Sequence, residues 1–151
     1  MDISAKTDYA VRALLTLAEH GGATVKVESL AAEQQLPRKF LEAILGDLRR
    51  AGVLRSQRGA EGGYTLARPA GEITLGQVMR AVDGPLAEVR GLRPDQTSYV
   101  GAARHLPDVW VAVRASLRCV LDETTLEHVL RGDLPEHVRR LCEDPDAWAP
   151  R

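Results

Sequence analysis

The sequence predicts a mostly α-helical fold with one small β-hairpin, and two patterns predict it. Over most of the chain, apolar residues recur three and four positions apart, which is the spacing of an amphipathic helix. Residues 53–69 differ, because two short runs rich in apolar and β-branched residues flank a stretch of glycines. The chain has 151 residues, of which 44% are hydrophobic. That composition can bury a moderate core, and the length fits a single domain.

The first two predicted helices are amphipathic. Residues 4–19 form the first, and the residues on its inward face are Tyr9, Ala10, Ala13, Leu14 and Leu17. Residues 27–34 form the second, with Leu30 and Ala31 facing inward. A short helix that is followed closely by another helix is typical of a helix-turn-helix pair.

The third predicted helix covers residues 38–51 and has two contrasting sides. Pro37 suits a first helical position and disfavours helical backbone at Leu36, so the break before this helix is sharp, and Gly52 ends it. Its apolar face consists of Phe40, Leu41, Ile44, Leu45 and Leu48. The exposed side at its start consists of Arg38, Lys39, Glu42, Ala43 and Gly46. A charged helix face is often merely solvated. Here, however, the small residues Ala43 and Gly46 would let the helix backbone approach the groove of a binding partner.

The hairpin is predicted from residues 53–57 and 64–67, whose composition favours strands. The glycines that permit a tight reversal between them are Gly59, Gly62 and Gly63. Positive charge along the hairpin comes from Arg55, Arg58 and Arg68. Pro69 ends the second strand because proline cannot donate a ladder hydrogen bond. A surface hairpin with solvated arginines is the alternative interpretation.

The third helix and the hairpin together predict a winged helix-turn-helix and therefore DNA binding. Such a helix can enter the major groove while a basic hairpin contacts the flanking backbone. Residues 36–68 carry seven Lys or Arg against three Asp or Glu, a local charge of +4, although the net charge of the chain is −1. A basic module on an acidic body fits DNA binding with modest non-specific affinity.

The second half of the chain predicts pairing with another copy. Thr74 can cap a short helix that runs to Asp83, and residues 124–127 form a capping-box pattern that opens another. Between them, residues 106–123 predict a long helix that is apolar around much of its girth, so it needs burial on more than one side. We expect a two-fold homodimer, with a monomer's core helix as the alternative. The expected interface residues are Val109, Trp110, Val113 and Leu117.

Several of these segments resemble one family, the winged-helix regulators that include IscR, NsrR and CymR. The resemblance covers roughly residues 1–131, and its matching segments are residues 3–14, 40–42, 48–52, 58–64, 73–75, 81–84, 109–110 and 125–126. It implies a winged helix-turn-helix domain over residues 1–83, an effector or cluster loop over 84–104, a dimerisation helix and short helix over 105–131, and a C-terminal tail over 132–151. The DNA-binding residues it implies, together with the charge pattern, are Arg38, Lys39, Glu42, Arg58, Gly59, Gly62, Gly63 and Tyr64.

The expected effector loop departs from the family pattern. Family members that hold an iron–sulfur cluster carry three cysteines there, whereas residues 84–104 contain none. Asp8 matches a position where some relatives offer a carboxylate ligand, but here we expect a local hydrogen bond or a cap. We therefore expect no cofactor. We expect no metal site either, because three histidines show no ligand spacing with Cys119 or Cys142. Those histidines are His105, His128 and His137.

The predicted function is that of a dimeric, sequence-specific regulator, a repressor that binds a palindromic operator in double-stranded DNA. Its control would come from a small molecule beside Trp110 or from a partner protein. A thiol switch at Cys119 is an alternative, although a buried structural cysteine is the commoner fate. A protein-interaction module without DNA binding is another. An enzyme is not indicated, since the chain has no nucleophile elbow, phosphate loop or metal motif. The sequence shows no membrane span, signal-peptide pattern or disulfide framework, so we expect a cytoplasmic protein.

Overall fold

The computed structural model describes residues 2–150 and confirms a mostly helical fold with one hairpin. Short 3-10 turns connect several of the elements. The helices are α1 (Ala5–Glu19), α2 (Val27–Gln34), α3 (Arg38–Arg50), α4 (Leu75–Asp83), α5 (Leu106–Leu121), α6 (Leu126–Arg131) and α7 (Glu136–Glu143). The strands are β1 (Leu54–Gln57) and β2 (Gly63–Leu66). None of the helices in residues 2–150 combines the length and the hydrophobicity that a membrane span requires.

Helix α1 is the central element of the core. Ser4 caps it, since the Ser4 hydroxyl accepts a hydrogen bond from the backbone N–H of Thr7 at 3.0 Å. Four of the five residues predicted to face inward are fully buried, while Tyr9 is half-buried. Helices α2, α3, α4 and α6 all pack against α1, so the predicted helix-turn-helix pair is built onto it.

The turn between α2 and α3 has the expected break at a slightly different residue. Gln35 ends α2 in the left-handed region with φ 53°, and Leu36 is buried. Pro37 is extended and lies just before the first helical residue, Arg38, rather than at the first helical position. Its fixed φ of −64° fits either place, so the sharp start of α3 is retained.

The two-stranded hairpin lies within one residue of its predicted bounds. Strands β1 and β2 are antiparallel, and their register pairs Leu54 with Leu66 and Gln57 with Gly63. Val25, in the segment before α2, adds a short bridge to Tyr64 through two backbone hydrogen bonds of 2.8 and 2.9 Å. The hairpin is therefore fixed to the helix-turn-helix and does not project independently.

The prediction for Phe40 was wrong. We expected it on the buried face of α3, but 45% of Phe40 is exposed, whereas Leu41, Ile44, Leu45 and Leu48 are fully buried. The reason is angular, since Phe40 lies at the edge of the apolar arc of α3. Its ring meets the Tyr9 ring edge-on, with centroids 5.7 Å apart, and so covers the side of the core.

Helix α6 belongs with the core rather than with the long helix. Leu126 is fully buried and packs in the same cluster as α1. Its backbone N–H donates to the Ile73 carbonyl at 2.9 Å, which fixes the start of α6 beside α4. The capping box of α6 lies one residue later than the 124–127 pattern predicted. Thr125 is the cap, and the His128 side chain accepts the reciprocal hydrogen bond from the Thr125 backbone N–H.

Helix α5 and the C-terminal segment lie outside this core. Helix α5 ends at Leu121, two residues earlier than predicted, and it contacts α4 and the 3-10 turn Pro94–Gln96. Among the described residues, none in α5 is fully buried. The segment 132–151, which we described only as a tail, contains helix α7, whose Val138 is buried.

Candidate nucleic-acid interface

The exposed start of α3 carries the three charged residues predicted to contact DNA. Arg38, Lys39 and Glu42 are all exposed. The Arg38 guanidinium donates to the Glu42 carboxylate at 3.0 Å and lies 2.8 Å from the Glu28 carboxylate on α2. Arg38 therefore bridges the two helices and is already neutralised, which the sequence spacing alone did not indicate. Within residues 2–150, Lys39 makes no hydrogen bond or ion pair, so its charge is available to an outside partner.

The starts of α2 and α3, like that of α5, lack the side-chain caps found on α1, α4 and α6. Lys26 precedes α2 and Pro37 precedes α3, and in the described chain neither side chain caps its helix. By contrast, Ser4, Thr74 and Thr125 cap α1, α4 and α6. Backbone N–H groups at an uncapped helix start can bind a phosphate, and the helix dipole favours that charge.

The hairpin of β1 and β2 is the wing, and its tip, residues 58–62, presents an exposed arginine on a fixed backbone. Arg58 is exposed, and Gly59 has φ +103°, a left-handed conformation that favours glycine. The Thr24 hydroxyl donates to the Glu61 carbonyl at 2.9 Å, which ties the tip to the segment before α2. The wing is thus held at a set position relative to the start of α3.

Gly62, Gly63 and Tyr64 have roles inside the wing itself. A Cβ on Gly62 would lie 2.3 Å from the Gln57 carbonyl oxygen, and one on Gly63 would lie 2.5 Å from the Val25 carbonyl oxygen. Gly62 is buried and Tyr64 is half-buried against the core. We expected these residues to contact DNA. The structure gives them a packing requirement that is sufficient to explain why they are there.

The other end of α3 is electrostatically satisfied. Lys6 lies 2.6 Å from the Asp47 carboxylate, and Arg50 pairs with the same group. The hydrogen bond from Lys6, helped by Arg50, holds the pKa of Asp47 below its ordinary value. Arg49 donates to the Ser56 hydroxyl at 3.2 Å and so links α3 to β1. Among the described residues, Lys26, Lys39, Arg55 and Arg58 are exposed and have no side-chain partner, so the charge available for a ligand lies at the starts of α2 and α3 and along the wing.

A second surface, the apolar face of α5, contains the four residues expected at a dimer interface. Val109 is 51% exposed and Val113 is 36% exposed, while Trp110 and Leu117 are half-buried. All four line an open groove of about 1460 Å³ between α5 and residues 84–90. Small-molecule pockets usually measure roughly 300–1,000 Å³, so this groove is better matched to a helix than to a small ligand.

The loop before α5 is anchored on that helix by aromatic and charged contacts. Trp110 Nε1 donates to the Tyr99 hydroxyl at 3.3 Å, and the Arg90 guanidinium lies 5.5 Å from the Tyr99 ring centroid. Arg114 lies 3.5 Å from the Asp95 carboxylate, which Arg93 also binds. The hydrogen bonds from Arg93 keep the pKa of Asp95 below its ordinary value.

The structure brings together three potential metal ligands that sequence reasoning missed. Cys119, Glu123 and His137 place their ligand atoms within 4.8 Å of one another. Spacing along the sequence gave no such indication because His137 comes from a different helix, α7. The four-residue interval between Cys119 and Glu123 was the available signal. The expectation that Cys119 is buried was also wrong, since Cys119 is exposed.

Asp8 makes the expected local contact, an ion pair with Arg12 at 3.3 Å.

Comparison with known proteins identifies the family. The family model Rrf2, described as an iron-dependent transcriptional regulator, matches residues 3–132. The chain belongs to the Rrf2 family. An HTH-type transcriptional regulator of Mycobacterium tuberculosis, Rv1287, is 51% identical over 145 residues, which cover 95% of this chain and 90% of the relative. CymR of Bacillus subtilis is 36% identical over 128 residues, covering 84% and 88%.

Solved structures of family members have the same fold. CymR, the global cysteine regulator of B. subtilis, superposes with a TM-score of 0.72 at 30% identity and covers 87% of this chain and 98% of that chain. T. potens IscR gives a TM-score of 0.67 at 30% identity, covering 100% and 93%. The chain is therefore a DNA-binding transcriptional regulator of this family and not an enzyme.

The residues of the loop do not fit a family-type iron–sulfur cluster. Such clusters need thiolate ligands, and residues 84–104 contain no cysteine. Both cysteines of the chain lie beyond the loop, Cys119 on α5 and Cys142 on α7.

Proposed function

We propose that this regulator binds double-stranded DNA through the start of α3 and the tip of the wing, as a homodimer formed by two α5 helices. The observation that carries the proposal is that neither Lys39 nor Arg58 has a hydrogen bond or ion pair within the described residues. Both are exposed basic residues, and the hydrogen bond from Thr24 to the tip fixes the wing beside the helix-turn-helix. Two cations on rigid elements can contact phosphates on either side of one groove.

Phosphate binding is supported by backbone as well as by side chains. The uncapped starts of α2 and α3 leave backbone N–H groups for an anion, and Lys39 lies in the first turn of α3. Each Lys or Arg that neutralises a phosphate releases counterions, so binding should weaken as salt increases. A regulator of this kind acts where chromosomal DNA is found, in the cytoplasm.

Base reading is proposed to involve exchange within the Arg38 ion pairs. Glu42 can accept a hydrogen bond from a cytosine amino group, while Arg38 can bind a guanine edge or a phosphate. In the free protein these side chains bind each other at 3.0 Å. On DNA they would give up that contact, and Glu28 would keep Arg38 oriented at the start of α2. Exposed ion pairs contribute little, so the exchange costs under about 1 kcal/mol.

The dimer is supported by the incomplete burial of α5. Exposed Val109 and Val113 and half-buried Trp110 and Leu117 form one continuous apolar surface. A second copy related by a two-fold axis would cover it with the same residues. Two recognition helices in such a dimer would read half-sites of a palindrome whose centres are about 34–36 Å apart.

We propose that the protein acts as a repressor, and that a small molecule or partner protein at residues 84–104 controls it.

Salt dependence tests the assignment of Lys39 and Arg58. For each of Lys39→Ala and Arg58→Ala, we expect weaker binding to all sequences and a salt slope that is smaller by about one unit. Arg139→Ala on α7 is the matched control, since it removes an exposed arginine far from α3 along the chain. Fluorescence anisotropy of a labelled duplex over a range of salt concentrations measures the slope. An Arg58→Ala slope equal to that of the unmodified protein would show that Arg58 points into solvent.

The operator itself is found by selection. Purified protein is incubated with sheared genomic DNA, and the bound fragments are sequenced and compared. The proposal expects an enriched inverted repeat, whereas enrichment of a single half-site would contradict the two-fold arrangement. Fragments without any shared sequence would contradict sequence-specific binding.

A further inference from the structure

Three side chains with different donor atoms converge where α5 ends. Cys119 lies in the last turn of α5, and Glu123 lies in the turn that follows the helix. His137 reaches them from α7, and its Nε2 lies 3.4 Å from Glu123 Oε2. Together they bring a sulfur, an oxygen and an imidazole nitrogen within 4.8 Å of one another.

The position of His137 is held by packing and by a hydrogen bond. The neighbouring Val138 is buried, which fixes the side of α7 that faces the rest of the chain. His137 Nε2 also lies 2.9 Å from the Cys119 carbonyl oxygen, so the ring is oriented toward the end of α5. His137 is half-buried, whereas Cys119 and Glu123 are exposed, so an ion can enter from solvent.

We propose that Cys119, Glu123 and His137 form a mononuclear site for a zinc-class divalent metal ion. The set supplies one thiolate, one imidazole and one carboxylate, and a water would complete a tetrahedron. Zinc lies about 2.3 Å from sulfur and about 2.0–2.1 Å from nitrogen or oxygen, so ligand atoms in a tetrahedron are roughly 3.3–3.6 Å apart. The present separations of up to 4.8 Å require small side-chain rotations. On binding, the thiol releases its proton to solvent, and His137 exchanges its carbonyl contact for the metal.

The donor set also favours some metals over others. A thiolate and an imidazole suit zinc and cobalt, whereas magnesium and calcium prefer oxygen ligands. Iron(II) binds less tightly than zinc to sites of this kind in the general affinity order. The neighbouring Asp122 is unavailable as a fourth ligand because Arg80 and Arg118 bind it at 2.7 and 3.2 Å. The open fourth position is therefore left to water or to an external ligand.

Binding at this site would link α7 to the helix that carries the proposed dimer interface. The site lies at the C-terminal end of α5, away from Val109 and Val113 nearer its start. Its existence depends neither on DNA binding nor on the dimer, so the tests of the two proposals are independent. The proposal departs from our expectation of no metal site, because only the fold brings α7 to the end of α5.

Cobalt(II) titration of the full chain, with any histidine tag removed, tests the site. We expect one cobalt per chain, a thiolate-to-cobalt charge-transfer band in the near ultraviolet, and displacement of cobalt by one equivalent of zinc. Cys119→Ser should abolish the band, and His137→Gln should weaken cobalt binding at least tenfold. Cys142→Ser and His105→Gln are the matched controls, since each removes the same kind of side chain outside the cluster, and both should bind cobalt as the unmodified chain does.

A second measurement reports metal binding without a thiolate band. A metal that binds only the folded chain raises its thermal midpoint as the metal concentration increases. Zinc should therefore raise the midpoint of the unmodified chain and of Cys142→Ser, but not that of Cys119→Ser. The proposal is overturned if the band is lost in Cys142→Ser, or if the unmodified chain and Cys119→Ser bind cobalt alike. Absence of a band together with an unchanged midpoint in the unmodified chain would equally overturn it.

Discussion

Helices α3 and α5 have similar amphipathic sequences but opposite surroundings. Helix α3 buries four aliphatic residues completely against α1 and α4 and leaves a charged start exposed. Helix α5 is three residues longer and more apolar around its girth, yet within the described chain none of its residues is fully buried. The apolar face of α3 is buried within one chain, and the apolar face of α5 is not.

This difference separates two uses of an apolar face. Burial within the chain stabilises the fold and fixes the charged side of α3 in space. An apolar face that the chain cannot cover favours association with another molecule. Removing apolar surface from water contributes about 25 cal/mol of free energy per Å². Loss of a residue from α3 should therefore affect folding, and loss of a residue from α5 should affect assembly.

The largest effect is expected when a charge is placed on the apolar face of α5. Val113→Asp should bury an unpaired carboxylate at the proposed dimer interface, at a cost of about 3–5 kcal/mol, and yield monomers or unfolded chain. Ala115→Asp is the control, since it places the same charge on α5 away from the apolar groove. Sedimentation velocity measures the outcome. A well-folded monomer for the unmodified protein would eliminate the dimer and the expectation of a palindromic site.

A leucine on α3 should be needed for folding rather than for assembly. Leu48→Ala leaves a cavity in the core, and we expect unfolding free energy to fall by about 2–5 kcal/mol. Leu117→Ala on α5 is the paired variant, and it should instead raise the dissociation constant of the dimer. Urea unfolding and sedimentation equilibrium separate the two effects. If both variants changed the same quantity, the contrast between α3 and α5 would be wrong.

The exposed start of α3 should control discrimination between DNA sequences. Glu42→Ala should relax discrimination at one base pair by about 1–3 kcal/mol, because a base-edge hydrogen bond is lost. Glu28→Ala is the control, since it removes the other carboxylate that binds Arg38 but leaves Glu42 in place. Competition binding with single-substitution operators measures the preference. If Glu28→Ala relaxes it equally, Glu42 acts only by holding Arg38.

The smallest effect is expected from the ion pair that ties α5 to α4. Burial raises the pKa of Asp122, but hydrogen bonds from Arg80 and Arg118 outweigh it, so the pKa lies below the ordinary value of 3.8. The carboxylate therefore stabilises the fold above pH 3.8, and this contribution disappears as pH falls through the lowered pKa. Asp122→Asn should cost under about 1 kcal/mol at pH 7 and nothing at a pH below the lowered pKa.

Urea unfolding at several pH values checks the Asp122 prediction. Asp133→Asn is the control, because in the described chain the Asp133 carboxylate makes no hydrogen bond or ion pair. A stability difference between Asp122→Asn and the unmodified protein that stayed constant down to the lowest pH would contradict the role assigned to the carboxylate.

The sequence by itself determined the local elements of this protein and its family. Helical periodicity, glycines at the wing and Pro37 depend on neighbours along the chain, so they predicted α1 to α5 and the hairpin to within a few residues. The charge on residues 36–68 predicted a DNA-binding module there for the same reason. The start of α3 was predicted as a DNA contact because the helical period alone places its charged residues opposite the apolar face.

The tertiary structure decided which side chains meet across elements. Phe40 is exposed because its angle at the edge of α3 takes it to Tyr9, and Arg38 is neutralised because Glu28 comes from another helix. Gly62 and Gly63 are required by close approach of the wing to its own backbone and to Val25. His137 joins Cys119 and Glu123 only because α7 folds back onto the end of α5. Such contacts depend on packing between distant segments, and periodicity along one segment carries no information about its partner.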